Sequence, residues 1–137
     1  MAKSPDVVDA LRAVPLFAGL DKRALHRVAE RVKAVEHAAG KEIAAEGASG
    51  VAFHLVQTGS ATVEVKGSVV RTLGPGDHFG ELALIDGRPR SATVRAVEDT
   101  TTLTMVAWDF GPLLDDAEIV RTLLMSVVSR LRDAESR

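Results

Sequence analysis

The sequence predicts a mainly β domain with flanking helices, its strands closed into a sandwich, barrel or jelly roll. Two observations carry this expectation. From about Lys33 to Ala107 the chain breaks into short segments rich in Val, Thr, Ile and Phe, punctuated by Gly40, Gly47, Gly50, Gly59, Gly67, Gly74, Gly76 and Gly80. On either side, residues 1–32 and 108–137 carry apolar side chains at helical spacing. Many short strands in one small domain imply closure, because closure leaves few edges exposed.

The elements follow in order. Ser4-Pro5 reads as an N-cap with proline at the first helical position, opening a helix through about Val14 that Pro15 and Gly19 break. Asp21 caps a second helix with apolar Leu25, Val28, Ala29 and Val32, and Leu20 and Leu25 sit where a hydrophobic staple packs. VAFHLVQ, SATVEVK, VVRTL, SATVRAV and TTLTMVA read as strands. Beyond Trp108, expected to pack at the barrel-to-helix junction, Asp109 caps a short segment through Leu114. Asp115 or Asp116 then caps a long final helix. On it Val120, Leu124, Val127 and Leu131 alternate steps of four and three, with Ile119, Leu123 and Val128 widening the stripe. That stripe is expected to pack on the barrel, with a near-heptad rhythm that also suits a homodimer seam.

Bulk properties exclude several function classes. With 137 residues the chain makes one domain, 1–137, with one core. It has no cysteine, hence no disulfide framework and no thiolate zinc site. This composition suits a cytoplasmic location. The N-terminus lacks the apolar run of a signal peptide, and no stretch approaches the ~20 apolar residues of a membrane span. A formal charge of −2 leaves no broad electrostatic footprint for nucleic acid.

Residues 79–92, FGELALIDGRPRSA, interrupt the strand pattern. Gly80 frees the backbone, and Glu81 to Ile85 have the propensity of one or two helical turns. Such a turn after a glycine is expected to present unpaired N–H groups to an anion. Arg90 adds a permanently charged fork suited to phosphate oxygens. Ser91 and Ala92 are small enough for a ligand to approach their amides. Glu81 only accepts hydrogen bonds, so beside a phosphate it must face a donor such as a sugar hydroxyl. A ribose phosphate satisfies the whole set.

At this point the sequence resembles a known family. FGELALIDGRPRSATVRA is similar to the phosphate-binding cassette of cyclic nucleotide-binding domains, found in catabolite-activator-type regulators, protein kinase A regulatory subunits and cyclic-nucleotide-gated channels. PLFAGL, GKEIAAEG, TGSATVEV and LGPGDHFGELAL fall in the family's order, so the likeness covers nearly the whole chain. The resemblance implies a jelly-roll β-barrel (33–107, cassette 79–92), N-terminal helices (1–32) and C-terminal lid helices (108–137). It implies a cyclic nucleotide sensor rather than an enzyme, with cAMP as the ligand, cGMP as the alternative, and no cofactor. By position it puts Glu81 on the ribose 2′-hydroxyl and Arg90 on the cyclic phosphate. Gly80, Leu82, Ala83, Ser91 and Ala92 add backbone or small side-chain contacts, Val63 and Val65 line the base pocket, and Leu131, Arg130 or Arg132 serves as the lid. Serine rather than threonine at position 91 favours cAMP. The effector protein or domain that such a sensor acts on is not specified.

One departure bears on function. Where the family often reads Gly-Asp-x-Gly-Asp, this chain has Gly47-Ala48-Ser49-Gly50-Val51, so Ala48 and Val51 replace two acids. The alternative reading is therefore a structural or interaction module that has lost ligand binding. Taken singly, Glu81 is explained by a helix's first turn, Arg90 by a solvated surface, and Arg130 and Arg132 by a helix C-terminus. Only the cassette as a set favours the ligand. His26, His37, His54 and His78 are scattered in sequence without a His-x-His pair, which argues against a metal-dependent cupin enzyme.

Overall fold

A computed structural model describes residues 5–44, 52–81, 83–88 and 92–136. Contacts divide the chain into Val32–Asp109 and a helical unit of Met1–Arg31 with Phe110–Arg137.

Among its described residues the first unit holds eight strands: β1 (Lys33–His37), β2 (Glu42–Ala44), β3 (Ala52–Thr58), β4 (Ala61–Val65), β5 (Ser68–Leu73), β6 (His78–Phe79), β7 (Thr93–Ala96) and β8 (Thr100–Val106). They pair in two four-stranded sheets, ordered β1-β8-β3-β6 and β2-β7-β4-β5. These pairings are antiparallel. This is the expected sandwich of the jelly-roll class. The five strands expected from composition are β3, β4, β5, β7 and β8. The remaining three carry little signal: β6 is two residues long, β2 three, and β1 is exposed at four of its five positions.

Residues of both sheets build the core. Val56, Ala61, Leu73 and Val94 form a buried cluster, with Ile43, Ala44, Val63 and Phe79 packed against it. Burying a side chain the size of Val56 or Leu73 contributes ~1.5–3 kcal/mol. β3 pairs with β8 so that His54 meets Thr104 and Val56 meets Thr102. With a period of two, these four residues share one face. The β6 register sets Phe79 beside His54 on that same face. Between β6 and β7 one helical turn, α3 (Ala83–Asp86), interrupts the strands where Glu81 to Ile85 predict it.

The helical unit contains α1 (Pro5–Arg12) and α2 (Lys22–Ala29). After the short α4 (Ala107–Phe110) and a 3-10 turn (Gly111–Asp115) comes the 19-residue α5 (Ala117–Glu135). Asp21 caps α2 as expected, its Oδ1 accepting the Ala24 N–H at 2.8 Å. Leu20 and Leu25 are both buried, in keeping with a staple across that cap. The long final helix starts from Asp116, which accepts the N–H groups of Glu118 and Ile119 at 3.0 and 3.3 Å. Helix α5 lies on the α1–α2 connection. There the Ser126 hydroxyl donates to the Pro15 carbonyl at 2.8 Å, and a Cβ on Gly19 would stand 3.0 Å from Thr122. Phe17 and Phe110 pack with ring centroids 6.2 Å apart.

Four details differ from expectation. Helix α1 stops at Arg12, because the chain tightens into a turn with the Val14 N–H on the Leu11 carbonyl. Asp109 does not start the segment it was expected to cap; it lies inside α4, which starts two residues earlier. Trp108 does not pack at the junction but is 88% exposed. On α5 the buried pair is Ile119 and Leu123, whereas Val120, Leu124 and Leu131 of the expected core stripe are exposed, Leu124 at 58%. A helix that is apolar over so wide an arc offers more than one candidate face, and contact with the α1–α2 connection selects the one bearing Ile119 and Leu123.

Candidate functional site

The approach to the cassette is held by the turn before it. Asp77 Oδ2 accepts the Gly74 N–H at 2.9 Å, and the Asp77 N–H returns to the Gly74 carbonyl at 3.0 Å. The Val56 N–H donates to the Asp77 carbonyl at 2.8 Å, tying this turn to β3. His78 and Phe79 then point to opposite faces of their sheet. The Phe79 ring stacks on His54 with centroids 4.8 Å apart, and the His78 ring lies 6.2 Å from Phe53.

Gly80 follows with φ +84°, a conformation that suits glycine, and turns the chain out of the strand. Glu81 sits in this turn with its side chain only 16% exposed. Its Oε2 lies 3.2 Å from His78 Nδ1. Ala83, buried, opens α3. The amides of Ala83 and Leu84 donate to the carbonyls of Gly80 and Glu81 at 3.1 and 3.2 Å. At these two positions the expected unpaired N–H groups are therefore engaged within the turn. Gly87, with φ +66°, closes α3.

Of the other expected site residues, Ala92 is half-buried just before β7. Val63 packs against the core cluster, and Val65 is half-buried at the end of β4. Leu131 is exposed on α5, Arg132 is exposed, and Arg130 is half-buried. Leu82, Arg90 and Ser91 lie outside the described residues, as do Ala48 and Val51. A cleft of about 500 Å³ lined by Glu36, His37, Thr58 and Asp99 lies at another part of the β unit, and one of about 380 Å³ lies within the helical unit. Among the described residues, no expected site residue lines either cleft.

Two arrangements were not legible in the sequence. The first is the contact between His78 and Glu81. The second is a polar chain across three strands: His37 Nε2 to Thr102 Oγ1 at 2.9 Å, Thr102 to Thr104 hydroxyl at 2.8 Å, and Thr104 Oγ1 to His54 Nδ1 at 3.0 Å. Histidines 17 residues apart in the chain thus bring their rings within 6.3 Å. The available signal was the alternation of Thr100, Thr102 and Thr104, which sets three hydroxyls on one face of β8. Burial holds the His37 pKa below its ordinary value. Among the described residues no group of three or more His, Cys, Asp or Glu could hold a metal ion. No helix of the described residues is long and apolar enough to cross a membrane.

Known proteins match this arrangement. The family model described as the cyclic nucleotide-binding domain matches residues 34–116, which take in the sandwich and the cassette. A cAMP-dependent protein kinase regulatory subunit of Aspergillus niger is 36% identical over 110 residues, covering 79% of this chain and 27% of that protein. A cyclic nucleotide-gated potassium channel of Rhizobium etli is 36% identical over 119 residues, covering 86% of this chain and 33% of the channel. The chain therefore spans only about a quarter to a third of the length of these relatives. Among solved structures, the N-terminal domain of a transcriptional regulator from Streptomyces coelicolor superposes with a TM-score of 0.85 at 30% identity, covering 93% of this chain and 96% of that one. The matched family is a binding domain and not an enzyme, and its match spans residues of both sheets and the sequence of the cassette. The chain belongs to the cyclic nucleotide-binding domain family.

Proposed function

We propose that this chain is a cyclic nucleotide sensor module whose ligand is cAMP. The observation that carries the reading is Glu81: a carboxylate kept mostly from solvent, in a glycine turn, within the cassette of a cyclic nucleotide-binding domain. A carboxylate only accepts hydrogen bonds, and a ribose hydroxyl is a donor that suits it. In this reading Glu81 holds the 2′-hydroxyl and Arg90 the cyclic phosphate, with Gly80, Leu82, Ala83, Ser91 and Ala92 close against sugar and phosphate. Val63 and Val65 line the base, and Leu131, Arg130 or Arg132 covers it. Ligand binding favours the covered arrangement by its differential affinity for the two states. The naming of matched relatives as cAMP-dependent kinase regulatory subunits supports cAMP over cGMP.

The same reading pairs two copies of the chain through α5, where Val120, Leu124 and Leu131 are exposed at heptad-like spacing. The output passes to an effector protein or domain.

Calorimetric titration of nucleotide-stripped protein with cAMP, then cGMP, tests the reading. Saturable binding at micromolar affinity or better, about 8 kcal/mol, is expected. Arg90→Ala should cost ~1.5–3 kcal/mol of it, the worth of a charge-assisted contact. Ser91→Thr should raise cGMP affinity relative to cAMP. Absence of heat with either nucleotide, repeated at a second temperature, would instead favour a non-binding interaction module, the outcome that Ala48 and Val51 would then explain.

A further inference from the structure

We propose that His78 is the positioning residue for Glu81, setting the carboxylate for a ribose 2′-hydroxyl. The inference rests on the ligand reading above and adds a determinant of sugar specificity to it.

The platform comes first. Backbone bonds from Gly74 to Asp77 and from Val56 to Asp77 fix the entry to β6, and β6 pairs with β3 at His54 and Leu55. Phe79 is stacked on His54, so the strand cannot rotate without breaking that contact. The alternation of β6 then puts the His78 ring on the opposite face, against Phe53. The imidazole is thus presented from a fixed backbone and steadied by an aromatic neighbour.

Glu81 stands differently. It follows Gly80 in a turn, and only one helical turn succeeds it. Neither a regular helix nor a strand constrains its rotamers. His78 Nδ1 meets its Oε2 at 3.2 Å, with the two side chains 22% and 16% exposed. The i,i+3 pair of Arg12 and Asp9 is a useful contrast, at 50% and 68% exposed. An exposed pair of that kind does little, whereas a mostly buried hydrogen bond to a carboxylate orients it. A carboxylate offers about four acceptor positions, more than one imidazole N–H takes up. A 2′-hydroxyl can donate to the same carboxylate.

This geometry makes a specific claim about coupling. If His78 acts through Glu81, removing its N–H should matter only for a ligand that has the 2′-hydroxyl. A merely structural role would weaken every ligand alike. The experiment is a cycle of wild type, His78→Phe and His78→Asn, each titrated calorimetrically with cAMP and 2′-deoxy-cAMP, with thermal melts confirming that each variant folds. Phenylalanine keeps ring volume against Phe53 and lacks the donor. Asparagine carries an N–H near the place of Nδ1.

The expected result is that His78→Phe weakens cAMP about tenfold while leaving 2′-deoxy-cAMP nearly unchanged, and that His78→Asn recovers most of the loss. Equal weakening of both ligands, or unchanged cAMP affinity in His78→Phe, would overturn the positioning role while leaving the ligand reading intact. A wild type that binds neither cAMP nor cGMP would overturn the ligand reading and this inference together.

Discussion

Arg27 on α2 and Asp116 at the head of α5 meet at 2.6 Å, so one carboxylate both caps a helix and joins two helices. Arg23 stands at 3.7 Å from the same oxygen. The Ile119 N–H is the largest influence holding the Asp116 carboxyl below the usual carboxylate range. The Glu118 N–H, Arg27 and Arg23 add to it, against an opposing effect of burial. Because the folded value lies below the unfolded one, the stabilisation is present above the ordinary carboxylate pKa and is lost as pH falls through the folded value. Asp116→Asn keeps a capping oxygen and removes the charge. Thermal melts from pH 7 down to 3 should show the variant less stable at neutral pH and the gap closing in acid. A gap that stays constant with pH would refute the assignment.

The His37–Thr102–Thr104–His54 chain predicts acid sensitivity at higher pH. Burial depresses the His37 pKa, so the unfolded chain takes up that proton more readily than the folded one. Stability from this source is intact above the ordinary value of 6.5 and declines as pH falls below it. His37→Gln should flatten the dependence of the melting temperature between pH 7.5 and 5, a window set by ordinary histidine titration. Identical slopes in the two proteins would show that the proton is taken up elsewhere.

Gly59 and Gly40 separate two costs of a side chain at positive φ. Both occupy that region, at φ +91° and +84°. A Cβ on Gly40 meets nothing within 4 Å, whereas on Gly59 it would stand 2.5 Å from the Asp99 carbonyl and from Thr100 Oγ1. Gly40→Ala should therefore cost about 1 kcal/mol from backbone strain alone, and Gly59→Ala distinctly more. Urea denaturation of the two variants tests this. Equal losses would mean that the turn beside Thr100 relaxes freely.

Leu124 tests the proposed self-association. It is exposed at the centre of the α5 stripe, so Leu124→Glu should leave the fold and its melting temperature nearly unchanged. In sedimentation velocity the wild type should show a concentration-dependent dimer and the variant only monomer. A wild type that stays monomeric across the concentration range would remove the dimer from the proposed function.

Much of the fold was legible because its signals are local. Asp21 and the strands β3, β4, β5, β7 and β8 are written in a capping residue and in β-branched runs set between turn residues, which the chain satisfies without reference to distant residues. The glycine turn at Gly80 and the helical turn α3 after it were legible in the same way, as parts of one contiguous segment. Helix α5 shows the limit. Its spacing announced an apolar stripe, but which side is buried depends on the surface that receives it, and that surface is the α1–α2 connection touching Ser126 and Thr122. Trp108 failed for the same reason: an aromatic side chain announces a possible contact and not a partner.

By itself, then, the sequence determined the order of helices, sandwich and helices, and the cassette whose residues suit a ribose phosphate. Tertiary structure alone decided which face of α5 is buried, that Thr102 and Thr104 bridge His37 to His54, and that His78 meets Glu81. The physical reason is register and enclosure. Side chains on different strands become neighbours only when pairing sets their alignment, and an i,i+3 contact across a glycine turn acquires its strength only when the fold withdraws both partners from water.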